Sequence, residues 1–352
     1  MKYLALALGF IFFSNASTVD AKRIASVKVL TWWDYIDDRV LQKTKNGGFN
    51  LDISIYKSNE VAISRLAAGY QKYDIAIISN FAIAALSSKV EFEKYKEVKI
   101  TKNKILPFIL GNSLCKPYLW STTVFSYDSN NVRVPPENFD HLRKLKNSGI
   151  LIGIIDDSLE YIARVTLEHL KENSSGKINL NYLFSQFFKL SQTAQLEKSR
   201  QFEKVDFKST IEPIIKNQRS VAYGWHGESA SQLNNAPWID FSVPDSGVII
   251  GSDYVCIPKW RTSTSPKLSE LERLRELLTD AESTRWNVES TQYFSPYFND
   301  TKGLKPKVEK LYRQVVAKVK NNHAVMISMP GKDHFSKINN LWKQIRYENI
   351  EH

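Results

Sequence analysis

One stretch constrains the fold more than any other, because short apolar strands alternate there with amphipathic segments. Residues 27–33 read as a buried strand, and a helical pattern over 36–45 runs into a Gly47-Gly48 turn. Residues 51–56 alternate as a second strand. Residues 60–69 place Val61, Ile63, Leu66 and Ala67 on a helix that Gly69 stops. YDIAIIS at 73–79 is a third strand, and 81–86 opens another helix. Parallel strands need crossover connections, so a β-α-β-α-β order predicts an α/β fold with a mainly parallel sheet flanked by helices.

The alternation resumes further on. Residues 150–155 read as an apolar strand, 158–170 as a helix, 221–225 as a short strand, and 242–258 as strand-like runs around Asp253. At 352 residues a single core would be large, so two lobes are expected. Pro135-Pro136 and the polar segment before them mark a boundary over 126–136. Lobe 1 is expected to comprise 27–125 plus 250–300, and lobe 2 126–249 plus 301–352. The chain would then cross between lobes near 120–130 and return near 245–255.

The first 21 residues have the parts of a secretory signal: Lys2, an apolar stretch over 3–13, then small residues, with cleavage after Ala16 or Ala21. That stretch is shorter than the ~20 residues a membrane span needs. The mature chain is therefore expected to be exported and soluble. In an oxidising compartment Cys115 and Cys256 either pair or remain two buried thiols. The six histidines show no metal-ligand spacing, and no metal or cofactor is implied.

A net charge of +11 invites a nucleic-acid or anionic-membrane partner. Residues 301–352 carry 11 Lys+Arg against 4 Asp+Glu, on amphipathic patterns such as 308–319. No nucleic-acid module accompanies them, so a solvated helix face is expected and nucleic acid is not.

The sequence contains no GxSxG, GxxxxGK[ST] or GxGxxG, which moves weight from turnover toward binding. Aromatic residues instead stand beside acidic ones at strand ends: Trp32-Trp33-Asp34-Tyr35, Asp156-Asp157-Ser158-Leu159-Glu160, Trp225, and Gly251-Ser252-Asp253-Tyr254. Ligands of open α/β sheets bind beyond the carboxyl ends of the strands. Ring faces and carboxylates together suit an organic cation. Each feature also has a structural reading. Asp157 and Glu160 fit a helix capping box, and Trp32 or Trp33 fits a core.

These blocks, in their order, resemble the periplasmic spermidine/putrescine-binding proteins of polyamine ABC importers. VLTWWDYI resembles that family's first-strand block, YKSNE its Y-x-S-N-E, and YDIAIIS its Y-D-[LIV]-x3-S. PYLWSTT, DDSLE, WHGES and SDYVCIPK are similar to later blocks. The resemblance implies a two-lobed (type II) periplasmic-binding-protein fold with the ligand in an interlobe cleft. It implies that Asp157, Glu160 and Asp253 bind amino or imino groups and that Trp32, Tyr35 and Trp225 form aromatic walls. Ser79 and Phe81 would line the edge of the first lobe, with Trp33 and Asp34 beside them. Phe81 stands where members carry Tyr, and Gly251 where they carry Trp; Trp33 is a candidate to refill that second volume. The implied role is capture of a linear polyamine by a monomer and delivery to a membrane permease, without catalysis. The alternatives are a polyamine sensor for a signalling receptor, a binder of another organic cation, and an exported enzyme using Asp157 and Glu160 as an acid/base pair.

Overall fold

A computed structural model of the chain describes residues 25–69, 72–95, 106, 114–155, 157–173, 211–218, 220–260, 266–297, 299–321, 323–326 and 340. The segment read as a secretory signal and Asp156 lie outside the described residues, as does everything beyond 326 except 340.

The N-terminal alternation folds as read. Strand β1 (Ala25–Trp32) leads to helix α1 (Asp38–Asn46), then β2 (Phe49–Tyr56), α2 (Asn59–Ala68), β3 (Ile75–Ser79) and α3 (Asn80–Leu86). Side-chain caps start the helices: Asp37 accepts from the Arg39 amide, Ser58 from Val61 and Ser79 from Ala82. Gly69 ends α2 in the left-handed region, at φ 65°. Leu66 of α2 is buried, and Ile63 and Ala67 pack half-buried against the core as read; Val61 alone is 39% exposed, with Ala62 buried in its stead.

Strand β4 (Lys116–Asp128) follows, then α4 (Phe139–Asn147), β5 (Leu151–Ile154), α5 (Ser158–Asn173), α6 (Glu212–Ile215), β6 (Ser220–Trp225) and α7 (His226–Ser231). The chain continues through β7 (Ile239–Ser242), β8 (Val248–Cys256), α8 (Leu268–Thr279), α9 (Ala281–Thr291), α10 (Pro306–Lys320) and β9 (Ala324–Met326). The apolar run at β5 is less buried than its composition suggests, with Leu151 51% exposed.

The strand order is β2-β1-β3-β8-β4-β6-β5, with β7 on β4 and β9 on β8. Pairs β1–β2, β1–β3, β5–β6 and β8–β9 are parallel. The sheet is nonetheless mixed, because β8 and β4 run antiparallel to their other neighbours. Both are returning strands, and local alternation carries no information about which way a distant strand runs. The two also bridge the sheet. The first part of β4 pairs with β8 and its second part with β6 and β7.

Lys116 lies opposite Val255, so Cys115 and Cys256 face each other across this antiparallel pair, and they form a disulfide with Cα atoms 4.6 Å apart. It closes a loop of 141 residues, a constraint worth about 2–4 kcal/mol through the unfolded chain. Trp120 on β4 is fully buried; it donates its indole N–H to the Ser295 carbonyl (2.8 Å) and packs on Phe294 and Tyr312. Helix α10 forms as its periodicity predicts, burying Val308, Leu311, Tyr312, Val315 and Val316 and leaving Lys310, Arg313 and Lys320 exposed.

Candidate functional site

Strand register collects the site before any side-chain contact is considered. Side chains along a strand alternate between faces, and directly opposed residues share a face. Gly251 and Asp253, two apart on β8, therefore point the same way. Ser79 of β3 lies opposite Asp253, Ser121 of β4 opposite Gly251, and Thr123 of β4 opposite Trp225 of β6. One face thus carries Ser79, Asp253, Gly251, Ser121, Thr123 and Trp225.

Asp253 anchors one end. It is 8% exposed and receives two side-chain donors, Trp32 Nε1 at 3.1 Å and the Tyr35 hydroxyl at 2.6 Å. Burial pushes its carboxyl up to about 6, against the pull of those two hydrogen bonds. The donors are themselves fixed. Tyr118 donates to the Tyr35 carbonyl (2.8 Å), and the Trp32 ring lies 4.3 Å from that of Tyr56, which donates to the Ile77 carbonyl. The turn between Trp32 and Tyr35 places Asp34 at φ 48°, a left-handed conformation uncommon outside glycine, and presents Trp33 to solvent at 64% exposure.

Glu160 stands at the other end, fully buried. Its Oε2 accepts from Thr123 Oγ1 (3.2 Å), which pairs with the Tyr223 hydroxyl (2.7 Å), which accepts from Arg164 Nε (3.0 Å). The donors form a directed chain, from Arg164 through Tyr223 and Thr123 to the carboxylate. Arg164 Nη1 also donates to Ser246 Oγ and the Gly247 carbonyl, both at 2.9 Å. Glu160 Oε1 is buried without a hydrogen-bond partner among the described residues. Burial first, then the neighbouring Asp157, raise the Glu160 carboxyl well above its usual range, while Arg164 and Thr123 oppose them. A buried carboxyl with one idle oxygen is poised to receive a donor.

Asp157 serves the helix. Its Oδ1 accepts from the Leu159 and Glu160 amides at 3.0 and 3.1 Å, the N-cap role. Half of the expected capping box forms, because Glu160 turns to Thr123. Asp157→Ala should cost about 0.5–2 kcal/mol of stability and Asp157→Asn, a good cap, much less. Thermal unfolding of the two ligand-free variants checks this; equal melting temperatures would show that the cap contributes little.

Between the two ends lies Trp225. A Cβ built on Gly251 would come within 2.8 Å of its Cη2 and 3.1 Å of its Cζ3, so the indole rests on bare backbone. The space left by Gly251 is therefore filled by Trp225 and not by the solvent-exposed Trp33. Ser79 Oγ bonds Asn59 Oδ1 (2.6 Å) and caps α3. Phe81 is 2% exposed and packs in the cluster containing Phe125, Tyr223 and Ile249. The structure thus brings together Trp32, Tyr35, Ser79 and Asp253 directly, and Trp225 and Glu160 through Gly251 and Thr123. It leaves Trp33 and Asp34 exposed and Phe81 in the core.

Thr123, Arg164, Glu228 and Tyr293 were not singled out by the sequence. The Tyr293 ring meets Tyr35 edge-on at 5.4 Å and covers Gly227, so it touches both the Asp253 end and the start of α7. Burial, then the Glu228 and Asp253 carboxylates, push the Tyr293 phenol well up, which places all three groups in one electrostatic neighbourhood. Glu228 follows Trp225 by three residues and was legible in WHGES; Tyr293 has no such local marker.

Most of the chain is also similar to named periplasmic proteins. It is 25% identical to the putrescine-binding periplasmic protein SpuD of Pseudomonas aeruginosa, over 88% of this chain and 91% of that one. It is 23% identical to the putrescine-binding periplasmic protein PotF of Escherichia coli, over 72% and 74%. The spermidine/putrescine transporter substrate-binding protein PotD of Streptococcus pneumoniae superposes with a TM-score of 0.67 at 21% identity, covering 92% of this chain and 99% of that one. No protein-family model matches the chain. The fold is that of the two-lobed periplasmic binding proteins.

Proposed function

We propose that this chain is an extracytoplasmic solute-binding protein that captures a linear polyamine of the putrescine/spermidine type between two lobes and delivers it to the membrane permease of an ABC importer. One observation carries the reading: a buried carboxylate, Asp253, is held by an indole and a phenol on the same sheet face as a second indole, Trp225. Similarity to putrescine-binding periplasmic proteins over most of the chain supports it.

The chemistry is that of a dication with a hydrocarbon middle. One ammonium meets Asp253 beside Trp32 and Tyr35, and the methylenes lie along Trp225. A second nitrogen reaches the Glu160 and Asp157 end, where Glu160 Oε1 accepts it. A charge-assisted hydrogen bond contributes about 1.5–3 kcal/mol and a cation–ring contact about 0.5–2. Two or three of each, less the cost of immobilising a flexible chain, can reach roughly −8 kcal/mol, which is micromolar.

Lobe 1 takes 27–125 plus 250–300, and lobe 2 takes 126–249 plus 301–352. Strands β4 and β8 then serve as the hinge, since both run from one half of the sheet into the other. Closure is favoured because the ligand touches carboxylates of both lobes only in the closed form. The signal segment directs the chain to the periplasm, where Cys115 and Cys256 oxidise.

Titration with putrescine and spermidine, followed by tryptophan emission and calorimetry, tests this. Saturable emission change with micromolar affinity is expected. Flat emission together with calorimetric silence for both amines would refute the polyamine reading.

A further inference from the structure

Gly251 presents no Cβ on a face where its neighbours Ser121 and Asp253 both project side chains. Its φ lies outside the left-handed region, so the backbone does not require glycine. What requires it is Trp225: the two indole atoms nearest to an added Cβ, Cη2 at 2.8 Å and Cζ3 at 3.1 Å, both belong to the six-membered ring. A carbon at 2.8 Å from ring carbons sits well inside the ~3.5–4.0 Å optimum, so either the ring or the strand would have to move. The strand is pinned by pairing on both sides, to β3 at Asp253 and to β4 at Gly251, and the ring is half-buried at the end of β6. The ring is the part that yields.

We infer that Gly251 is a positioning residue for ligand recognition, a seat that lets the six-membered ring of the Trp225 indole come up against β8 between the Asp253 and Glu160 ends. This rests on the polyamine reading and assigns the apolar platform of that site to one indole held by a missing side chain. The seat lies two residues, roughly 7 Å of strand, from Asp253. An ammonium held by Asp253 therefore has its following methylenes over the indole. Raising or tilting the ring removes that platform while leaving every carboxylate in place.

A double-mutant cycle in the full chain tests it, with putrescine and spermidine as probes. Gly251→Ala should weaken binding about three- to tenfold, the worth of a lost ring contact, with the ligand-free melting temperature nearly unchanged. Phenylalanine lacks Cη2 and Cζ3, so in a Trp225→Phe background the alanine should have little further effect. The emission of the ligand-free protein should shift on Gly251→Ala in the wild-type background and not in the Trp225→Phe background. If Gly251→Ala costs the same fold-change in both backgrounds while wild-type protein binds normally, the seat is wrong. If wild-type protein binds neither amine, the functional reading fails and the assigned role falls with it.

Discussion

Asp253→Asn is expected to weaken putrescine binding by about ten- to a hundredfold while making the ligand-free protein more stable at pH 8. The two effects share a cause. A charge-assisted hydrogen bond to a ligand ammonium is worth about 1.5–3 kcal/mol, and the amide cannot supply it. The geometry survives the change, because an Asn oxygen can accept from Trp32 Nε1 while its NH2 donates to the Tyr35 hydroxyl oxygen. Asp253 is 8% exposed and burial lifts its carboxyl to about 6. The native state thus keeps this proton to higher pH than the unfolded chain does. Stability from the neutral form is present at low pH and is lost as pH rises from the ordinary carboxylate range through about 6. Asn never ionises, so its advantage grows over that window, on the order of 1–3 kcal/mol at pH 8. Ligand affinity runs the other way in wild-type protein: below about pH 6 Asp253 is protonated and binding falls. Calorimetric titrations at pH 5, 6.5 and 8, with melting curves of both proteins, check each part. A variant that binds normally, or wild-type affinity flat across this range, would remove Asp253 from the ligand contacts.

Arg164→Leu is expected to destabilise the fold by about 3–5 kcal/mol at pH 8, the usual effect of removing one partner from a buried charged network. Arg164 is fully buried, four residues after Glu160 and four before Glu168 on α5, so the three share one helix face. It anchors Tyr223, Ser246 and the Gly247 carbonyl, and its charge holds down the carboxyls of both glutamates. Glu168 is raised to about 7, chiefly by burial. Without the guanidinium both glutamates lose the buried cation that favours their ionised forms, and Glu168 keeps only the half-buried Arg143. At pH 5 Glu168 is protonated in either protein, so the loss should shrink. Urea unfolding at pH 8 and pH 5 reads it directly. A pH-independent loss would assign Arg164 a packing role, and a loss below about 1 kcal/mol would show that the network contributes little.

Much of the site was legible because its residues are marked by local chemistry. Trp32, Tyr35, Trp225 and Asp253 stood out as rings and acids at strand ends, and they converge. Asp157 was legible as a cap and does cap. Phe81, expected at the edge of the first lobe, is buried in the cluster that also holds Tyr223, because the face a residue presents at the start of α3 depends on what covers that helix. Trp33 was a candidate to fill the space beside Gly251, but the left-handed turn at Asp34 directs it to solvent. Tyr293 carried no marker, and Thr123 stood only as the end of PYLWSTT, since a threonine or tyrosine becomes a site residue only through what stands opposite it.

The sequence alone determined the α/β alternation, the positions of most strands and helices, and the rings and acids on which the proposed ligand chemistry rests. Those follow from periods of 2 and 3.6 residues and from side-chain type, which are local quantities. Tertiary structure decided the antiparallel return of β8, the pairing of Cys115 with Cys256, the escape of Glu160 from its capping box, and the seat of Trp225 on Gly251. The disulfide joins residues 141 apart, and the Trp32–Asp253 hydrogen bond spans 221. Register between such distant segments is fixed by the packing of the whole sheet, and no window of neighbouring residues contains it.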